Sequence, residues 1–358
     1  MSDRVFVAMS GGVDSSVAAA MLAERGEDVV GVWMRLTPDD GSRDAPRCCG
    51  TDQAGEDARR AASRIGIPFY ALDYAEVFAR DVVDPFVAAY AMGETPNPCV
   101  ACNSKVKFEA LLRDVVAKFG GSRIATGHYA RVTRDDAGRA HLLRARDPNK
   151  DQSYALYMLG QRELARIELP IGELADKSET RAIAQRFELS TADKAESMDI
   201  CFIGGDYREF VRERVPEAFV SGPVERGDGI PVGTHGGIGT LTVGQRAGVG
   251  IATGERLYVL RLETDRNAAI VGRRDEGATM IALRDVTFTG DSAPSGPFSS
   301  SVALRYRGAP QPCTVVVSGR DATIELSEPA LVAGGQAAVF YDGDEVLGGG
   351  TVTRALAS

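Results

Sequence analysis

The sequence predicts an α/β protein with a Rossmann-like parallel sheet, followed by a small β-rich central module and a C-terminal β-barrel. Up to about residue 200, short apolar strand segments alternate with helical segments, which is typical of a parallel sheet covered on both faces. Glycine then crowds the stretch from Gly222 to Gly250, between short Val/Ile/Thr segments. From about Met280 onward the chain consists of short β-type segments separated by turns.

The elements of the N-terminal part follow in order. Strands are predicted at Val5–Met9, Asp28–Met34, Pro68–Leu72 and Arg123–Thr126. Helices are predicted at Val17–Arg25, Glu56–Ile65, Val77–Met92 and Asn103–Phe119, and helical segments return from Tyr154 to Phe187. A hairpin is predicted over Ala130–Leu143. In such a sheet, ligands bind at the carboxyl ends of the strands.

The C-terminal part is predicted to be a closed barrel because its strands recur at nearly regular spacing. These strands are Val302–Tyr306, Cys313–Val317, Ala322–Leu326, Gln336–Tyr341 and Val346–Val352. We expect three domains: a catalytic domain at 1–205, a central module at 206–275 and the barrel at 276–358.

Composition indicates an ordinary soluble protein with an acidic balance. The net charge of −9 is not that of a generic nucleic-acid binder, which needs clustered lysine and arginine. A local arginine excess nevertheless lies between Arg123 and Lys150, and it is consistent either with a face for a phosphate backbone or with a solvated hairpin. No signal segment or membrane-spanning run is recognisable, so we expect a cytoplasmic enzyme without a membrane partner.

The most informative motif is Ser10–Ser16, which follows the first strand and opens a helix. Gly11 and Gly12 allow the backbone to approach an anion closely, and the N–H groups of a helix start point toward it. Asp14 would repel phosphate unless a magnesium ion lay between them. The loop has no lysine, which argues against a Walker loop and against transfer of a terminal phosphate. The alternative, a Gly-Gly turn with a capped helix, does not explain the whole motif.

The six cysteines fall into different classes. Cys313 lies in an apolar strand and is expected in the core. Cys99 and Cys102 form a C-x-x-C pair in a proline-rich loop before a helix, where Lys105 and Lys107 are expected to favour the thiolate. The alternative is half of a zinc site that the adjacent Cys48 and Cys49 would complete, an awkward geometry for two ligands.

Seven ordered segments point to one family. They are Ala8–Ser16, Thr95–Pro98 with Cys102-Asn103, Ala125–Tyr129, Asn149–Tyr154, Ile200–Gly204, Gly244–Arg246 and Arg305–Arg307. On these segments the chain resembles, over essentially its full length, the MnmA-type tRNA-specific 2-thiouridylases of the PP-loop ATP pyrophosphatases, which have the adenine nucleotide α-hydrolase-like fold. The resemblance implies 2-thiolation of the wobble uridine in tRNAs for Glu, Gln and Lys, with ATP consumed to AMP and pyrophosphate.

The same resemblance assigns roles to individual residues. It implies ATP binding by Ala8, Met9, Ser10, Gly11, Gly12, Val13, Asp14, Ser15, Met34 and Gly127. It implies contact with the target base by Asn97, Pro98 and Cys99, and contact with tRNA by His128, Lys150, Asp151, Gln152, Gln245, Arg305 and Tyr306. Met34 is equally consistent with ordinary core, and His128 with a hydrogen-bonded loop histidine.

The sulfur chemistry is divided between two distant cysteines. By the resemblance, Cys201 carries a persulfide supplied by an upstream donor or relay protein, and Cys102 is its partner. Cys102 either attacks C2 or releases the sulfur by forming a disulfide with Cys201, and the sequence does not order these steps. Without the resemblance, Cys201 between Ile200 and Phe202 would be interpreted as a buried core thiol.

One position departs from the family pattern. Many members have an aspartate, proposed as a base or orienting group, where this chain has Cys99. The base is dispensable, or Cys99 replaces it, or Cys99, Cys102 and Cys201 together hold an iron–sulfur cluster. The persulfide route ranks ahead of the cluster route, and no role follows for Cys48 and Cys49.

Two other function classes are each consistent with part of the sequence. One is another PP-loop ligase that adenylates a small molecule, which leaves the separated thiols unexplained. The other is a non-catalytic RNA-binding or metal-binding module, which would bind zinc without consuming ATP.

Overall fold

The protein is described from a computed structural model over residues 4–37, 51–194, 200–251 and 254–356. Cys48 and Cys49 lie outside these ranges. None of the helices in the described part has the length and apolar character needed to cross a bilayer.

The N-terminal part alternates strands and helices. Its strands are β1 Val5–Ala8, β2 Val29–Arg35, β3 Phe69–Asp73, β4 Arg123–Thr126, β5 Ala130–Arg134, β6 Ala140–Arg144 and β7 Ile167–Glu168. Its helices are α1 Val13–Glu24, α2 Asp52–Ile65, α3 Ala75–Phe78, α4 Asp84–Ala91, α5 Pro98–Ala101, α6 Leu112–Phe119, α7 Gln161–Leu164 and α8 Lys177–Arg186. The π-helical segments Ala79–Val83 and Cys102–Leu111 join α3 to α4 and α5 to α6, so each pair forms one continuous helix.

Five of these strands form a parallel sheet in the order β3-β2-β1-β4-β7. The sheet is Rossmann-like, which confirms the predicted fold class. β1 is buried along its whole length, and Val5 pairs with Val29 on one side and with Arg123 on the other. The chain order therefore reverses between β1 and β4, and a parallel sheet binds its ligands in the crevice at that point.

The predicted helical stretch from Tyr154 to Phe187 is wrong in its first half. That half contains 3₁₀ turns at Ser153–Leu156 and Pro170–Glu173, the four-residue helix α7 and the strand β7. Pro170 cannot donate a helical backbone hydrogen bond, which separates β7 from the helix α8 that follows. A strand of two residues is too short to give an alternating pattern, so its addition to the sheet was not predictable.

The central module is a four-stranded sheet. The helix α9 Tyr207–Arg212 leads into β8 Gly222–Arg226, β9 Pro231–His235, β10 Tyr258–Glu263 and β11 Ala268–Gly272, arranged in the order β10-β11-β8-β9. Short 3₁₀ turns occur at Pro216–Phe219, Ile238–Thr240, Thr264–Arg266 and Arg274–Glu276. Val224, Val259 and Val271 are fully buried and form its small core.

The C-terminal part is a closed antiparallel barrel, as predicted. Its strands are β12 Ala278–Phe288, β13 Phe298–Ala303, β14 Gln311–Ser318, β15 Asp321–Ala330, β16 Ala337–Asp342 and β17 Glu345–Leu356. They follow the order β12-β15-β14-β13-β16-β17, and β17 closes the barrel by pairing with β12. Cys313 is buried in the barrel core as expected, and burial raises the pKa of its thiol to about 11. The predicted strand Val302–Tyr306 ends instead at Ala303.

The hairpin β5–β6 is confirmed, but it belongs to the barrel sheet, where Leu143 of β6 pairs with Glu345 of β17. Arginines of the hairpin attach it to the rest of the protein. The Arg131 guanidinium lies 3.3 Å from Asp344, and that of Arg139 donates to the carbonyl of Gly290 at 2.9 Å. Part of the local arginine excess thus joins two parts of the fold, a role that neither sequence-based interpretation included.

Candidate active site

The loop Ser10–Ser16 lies at the switch point between β1 and β4 and is shaped by its glycines. Gly12 is extended and α1 begins at Val13. Gly11 has a φ of 74°, and a Cβ there would lie 2.2 Å from the carbonyl oxygen of Ala54 in α2. Only glycine satisfies both the left-handed backbone and this close approach.

Hydroxyl groups fix the loop from inside. The backbone N–H of Ser10 donates to Ser15 Oγ at 3.0 Å, and the hydroxyl of Ser16 donates to the carbonyl of Gly12 at 2.9 Å. Ser15 and Ser16 are buried, as are the side chains of Ala8, Met9 and Val13. The predicted ATP contacts of the three apolar residues are therefore restricted to their main chain.

Two lysines from distant segments supply the positive charge that the loop itself lacks. Lys177 Nζ lies 2.6 Å from Asp14 Oδ1, which also accepts a hydrogen bond from the Tyr129 hydroxyl at 2.9 Å. Lys194 Nζ donates to the carbonyl of Gly11 at 2.9 Å and contacts Asp57 at 2.7 Å. Sequence reasoning missed both lysines because they lie more than 160 residues from their loop partners, separations of 163 and 183.

Gly127, at the end of β4, closes the other side of the crevice. A Cβ on Gly127 would lie 2.5 Å from Ser15 N and 2.6 Å from the Asp14 carbonyl carbon, so a side chain does not fit. Met34 ends up buried in the same core cluster as Ala8. The loop and Gly127 are thus brought together as predicted, whereas the side chain of Met34 packs as core.

The cysteine pair lies inside a helix, where the sequence predicts a loop before a helix that starts at Asn103. Asn97 is the N-cap, its side chain accepting the N–H of Cys99 at 3.1 Å, and Pro98 is the first helical residue. Cys99 is exposed at this helix start. Cys102 follows in the continuous helix and is buried.

The expectation that neighbouring lysines favour the Cys102 thiolate is wrong for this conformation. Burial raises the pKa of the Cys102 thiol, and the charge of Lys107 opposes this shift without overcoming it. Lys105 instead points outward and pairs with Glu109 at 3.1 Å. The Cys102 thiol is therefore harder to deprotonate than an ordinary cysteine, and the charge of Lys107 favours its thiolate.

Lys107 also lies near His128. Its ammonium donates to Asn103 Oδ1 at 2.9 Å, and the π-helical winding explains how it faces Cys102. In an α-helix, residues i and i+5 point in directions about 140° apart, whereas a turn closed by i to i+5 hydrogen bonds places residue i+5 above residue i.

Burial, and secondarily Lys107, lowers the pKa of His128 well below its usual value. Its Nδ1 lies 2.7 Å from Thr126 Oγ1. The imidazole is therefore neutral at pH 7 and can act as a hydrogen-bonding group, not as a cation.

Cys201 lies in a partly buried turn that packs on the core cluster containing Cys102. Its neighbour Phe202 anchors this turn through edge contacts with Phe78 and Phe86, with ring centroids 5.5 and 5.3 Å apart. The apolar neighbours of Cys201 suggest a buried core thiol, but it is Phe202 that is buried, and Cys201 itself is partly exposed. Cys102 is thus a member of one apolar cluster and Cys201 packs against it; the cluster also includes barrel residues such as Val339 and Tyr341.

The cysteines and Asp14 are the residues for which the sequence suggests metal ligation. Within the four described ranges, no three His, Cys, Asp or Glu side chains are grouped to hold a metal ion. Cys99, Cys102 and Cys201 are therefore not arranged as ligands of an iron–sulfur cluster in this conformation. The completion of a zinc site by Cys48 and Cys49 concerns residues outside the described ranges.

Residues with predicted tRNA contacts are spread over all three parts. Asp151 and Gln152 organise their own loops: Asp151 accepts the N–H groups of Ala145 and Ser153, and Gln152 accepts that of Tyr129. Gln245 accepts from Thr242 N at 3.1 Å, and Lys150 is partly exposed. Arg305 and Tyr306 are exposed in the loop after β13, and the Arg307 guanidinium lies 5.2 Å from the Tyr306 ring. This exposed aromatic among arginines is the most suitable of these residues for stacking on a base.

Family models and full-length relatives match nearly the whole chain. The family model described as tRNA methyl transferase HUP domain matches residues 3–205, that of the tRNA methyl transferase PRC-barrel domain 208–273, and that of the aminomethyltransferase beta-barrel domain 278–352. The chain is 45% identical over 356 residues to the tRNA-specific 2-thiouridylase MnmA of Chloroflexus aggregans, covering 98% of both chains. It belongs to the tRNA-specific 2-thiouridylase MnmA family. A second member, from Geobacter metallireducens, is 45% identical over 363 residues, covering 99% of this chain and 97% of the relative.

The domain descriptions mention methyl transfer, whereas full-length members of this family carry the name thiouridylase. The full-length matches cover at least 97% of both chains, so their name is the better guide to the family. Among solved structures, a 4-thiouridine synthetase–RNA complex with bound ATP is 15% identical with a TM-score of 0.34, covering 60% of this chain and 51% of the other. The NMN synthetase of Francisella tularensis is likewise 15% identical, with a TM-score of 0.30, and covers 55% and 66%.

Proposed function

We propose that this protein catalyses the ATP-dependent conversion of uridine to 2-thiouridine in tRNA. The observation that carries the proposal is the juxtaposition of two sites. The anion-binding loop Ser10–Ser16 abuts Gly127, and the ring of the next residue, His128, lies 6.1 Å from that of Phe108 on the helix that contains Cys102. A nucleotide held by the loop would thus present its phosphates toward the cysteine-bearing helix, and members of the family are named for this reaction.

The first step is activation of the uridine. The C2 oxygen attacks the α-phosphorus of ATP, the bond to the β-phosphate bridging oxygen breaks, and pyrophosphate leaves, so that C2 carries AMP as its leaving group. The N–H groups at the start of α1, with Lys177 and Lys194, would hold the pyrophosphate end. Mg²⁺ prefers one or two carboxylates together with substrate phosphates, which suits Asp14 as its single protein ligand once Lys177 turns to the phosphates.

The second step replaces the oxygen. The terminal sulfur of a Cys201 persulfide attacks C2 and AMP leaves; Cys102 then attacks the inner sulfur, which releases 2-thiouridine and forms a Cys102–Cys201 disulfide. Alternatively, Cys102 attacks the persulfide first and the released hydrosulfide attacks C2, with the same disulfide as product. In either order the disulfide must be reduced by an external thiol before the next turnover.

The remaining assignments form part of the same proposal. The target is the wobble uridine of tRNAs for Glu, Gln and Lys, the persulfide comes from a donor or relay protein, and the enzyme acts in the cytoplasm. Asn97, Pro98 and Cys99 border the target base. Either Cys99, exposed at the helix start, replaces the usual aspartate, or the base role of that aspartate is dispensable. His128, Lys150, Asp151, Gln152, Gln245, Arg305 and Tyr306 would contact tRNA. The domain division at 205 and 275 stays a prediction.

The deciding experiment is nucleoside mass spectrometry of unmodified tRNA incubated with the protein, ATP, magnesium and a persulfide donor. We expect 2-thiouridine with the wild-type protein and none with Cys102→Ser or Cys201→Ser. Cys313→Ser is the matched control because Cys313 is buried in the barrel, away from both sites, and it should retain activity if it folds. Full sulfur transfer by either single variant would disprove the two-thiol mechanism. AMP formation driven by a small molecule without RNA would instead favour another adenylating ligase.

A further inference from the structure

The segment that precedes the cysteine-bearing helix is held by both other parts of the protein. Residues 93–97 have no regular secondary structure. Gly93 has a φ of 69°, and a Cβ there would lie 2.8 Å from a side-chain atom of the central module. Thr95 donates its N–H to the carbonyl of Gly334 in the barrel at 2.8 Å, and its hydroxyl lies 3.3 Å from that of Thr242 in the central module. Contacts from outside the N-terminal part therefore determine the path of this segment.

The strongest of these contacts is a two-pronged ion pair. Glu94 Oε1 and Oε2 accept from Arg284 Nη1 and Nη2 of β12, each at 2.9 Å. The Glu94 side chain is only 16% exposed and that of Arg284 is 39% exposed, so this pair is less screened than a surface pair. The amide of Gln336 also donates to the Thr95 carbonyl, and a Cβ on Gly335 would lie 3.0 Å from the Glu94 Cβ.

These anchors lie at the end of the barrel that carries the predicted RNA loop. β13 and β16 are antiparallel, and Ala303, the last residue of β13, pairs with Val339 near the start of β16. The loop after β13, with Arg305 and Tyr306, and the loop before β16, with Gly334, therefore emerge at the same end.

A second set of contacts leads from this loop to the cysteine helix. The Tyr306 ring centroid lies 6.1 Å from that of Tyr154. The carbonyl of the next residue, Ala155, accepts a hydrogen bond from the amide of Asn103 at 2.8 Å. Asn103 is buried directly beside Cys102. The barrel end is thus connected to the cysteine helix by two routes, one through residues 93–97 and one through Tyr154 and Ala155.

We propose that Glu94 and Arg284 are positioning residues that fix the start of the cysteine-bearing helix to the RNA-facing end of the barrel. The expected effect of this pair on the rate of thiolation rests on the proposed function, whereas its expected effect on the mobility of residues 93–101 does not. When RNA occupies the loop at Tyr306, this ion pair sets the distance from the barrel to Asn97, Cys99 and Cys102. Its loss leaves the ATP loop intact and lets the target-base segment move.

The test uses the full-length protein with Arg284→Ala, Glu94→Ala and the charge-reversed pair Glu94→Arg with Arg284→Glu. Arg320→Ala is the matched control, since it breaks a 2.8 Å pair with Asp285 on the same barrel that is 82% and 59% exposed. We expect amide exchange in the peptide spanning 93–101 to quicken in both single variants. We also expect kcat for thiolation to fall about tenfold to a hundredfold, as for a displacement of about 1 Å, with KM for tRNA unchanged. The reversed pair should recover part of both losses.

Several results would overturn the inference. Wild-type exchange across 93–101 in Arg284→Ala would show that the pair does not hold the segment. A loss confined to KM for tRNA would make Arg284 an RNA contact, and an equal loss in Arg320→Ala would indicate general weakening of the barrel. If Arg284→Ala does not fold, Glu94→Gln removes the charge and keeps the shape. Absence of thiolation in the wild-type protein would refute the proposed function alone, because the exchange rates still decide whether the pair fixes the helix.

Discussion

Replacing Gly127 by alanine adds one methyl group and is expected to slow AMP formation from ATP. That group would lie 2.5 Å from Ser15 N and 2.9 Å from the carbonyl oxygen of Asp14, both backbone atoms of the start of α1. Ordinary contact with carbon begins at about 3.5 Å, so β4 and α1 must separate by about 1 Å. Overpacking of this kind costs about 1–3 kcal/mol of stability, and a 1 Å misplacement of a reacting group costs about 100-fold in rate.

The protein carries its own probe for this variant. Trp33 is the single tryptophan and is buried in β2 of the parallel sheet, so its fluorescence follows unfolding of that sheet in urea. AMP formation during thiolation follows the chemistry. Gly227→Ala is the control because a Cβ there meets no atom within 4 Å and its backbone is not left-handed. If Gly127→Ala binds ATP and forms AMP at the wild-type rate while folded, the close approach is not what shapes the site.

Three further predictions follow from charges near the site and the barrel. Lys177→Met should raise KM for ATP about 10–100-fold, because it removes a hydrogen bond to a charged group that is worth about 1.5–3 kcal/mol. Initial rates at varied ATP concentration measure this change. Lys107→Met should raise the pKa of Cys102 further, so that its alkylation rises only at higher pH; an unchanged alkylation profile would refute the role given to Lys107. The hydrogen bond to Glu345, with a weaker one to Asp135, raises the pKa of His141, so the stability it contributes should be present below the unfolded pKa of about 6.5 and be lost as pH rises through the folded value. Unfolding of His141→Gln should lack this dependence between those two values.

The fold was predictable where patterns are local. The parallel sheet followed from buried apolar strands such as β1, and the barrel from strands at regular spacing. The strand β7 escaped prediction because two residues carry no period. The continuous helix through Cys99 and Cys102 begins at Pro98, earlier than predicted, with Asn97 as its N-cap. Both an asparagine cap and a proline at the first helical position are recognisable in the sequence.

The site was predictable in its motif and not in its electrostatics. The glycines of Ser10–Ser16 have a mechanism that can be inferred from the sequence. Lys177 and Lys194 reach the loop only through the tertiary fold, so no spacing of residues in the sequence predicts their contacts with it. The pKa of Cys102 shifts in the opposite direction to the prediction because burial, which sequence neighbours do not reveal, outweighs the charge of Lys107.

The attachment of hairpin β5–β6 to the barrel has a consequence for biosynthesis. His141 in β6 and its partner Glu345 in β17 are 204 residues apart, so the hairpin leaves the ribosome long before the strand that covers its edge. During that interval the unpaired strand edge is exposed to other nascent chains, and it is a suitable site for chaperone binding. A fragment ending at residue 205 would retain this edge permanently, and we expect it to aggregate even though its parallel sheet is complete.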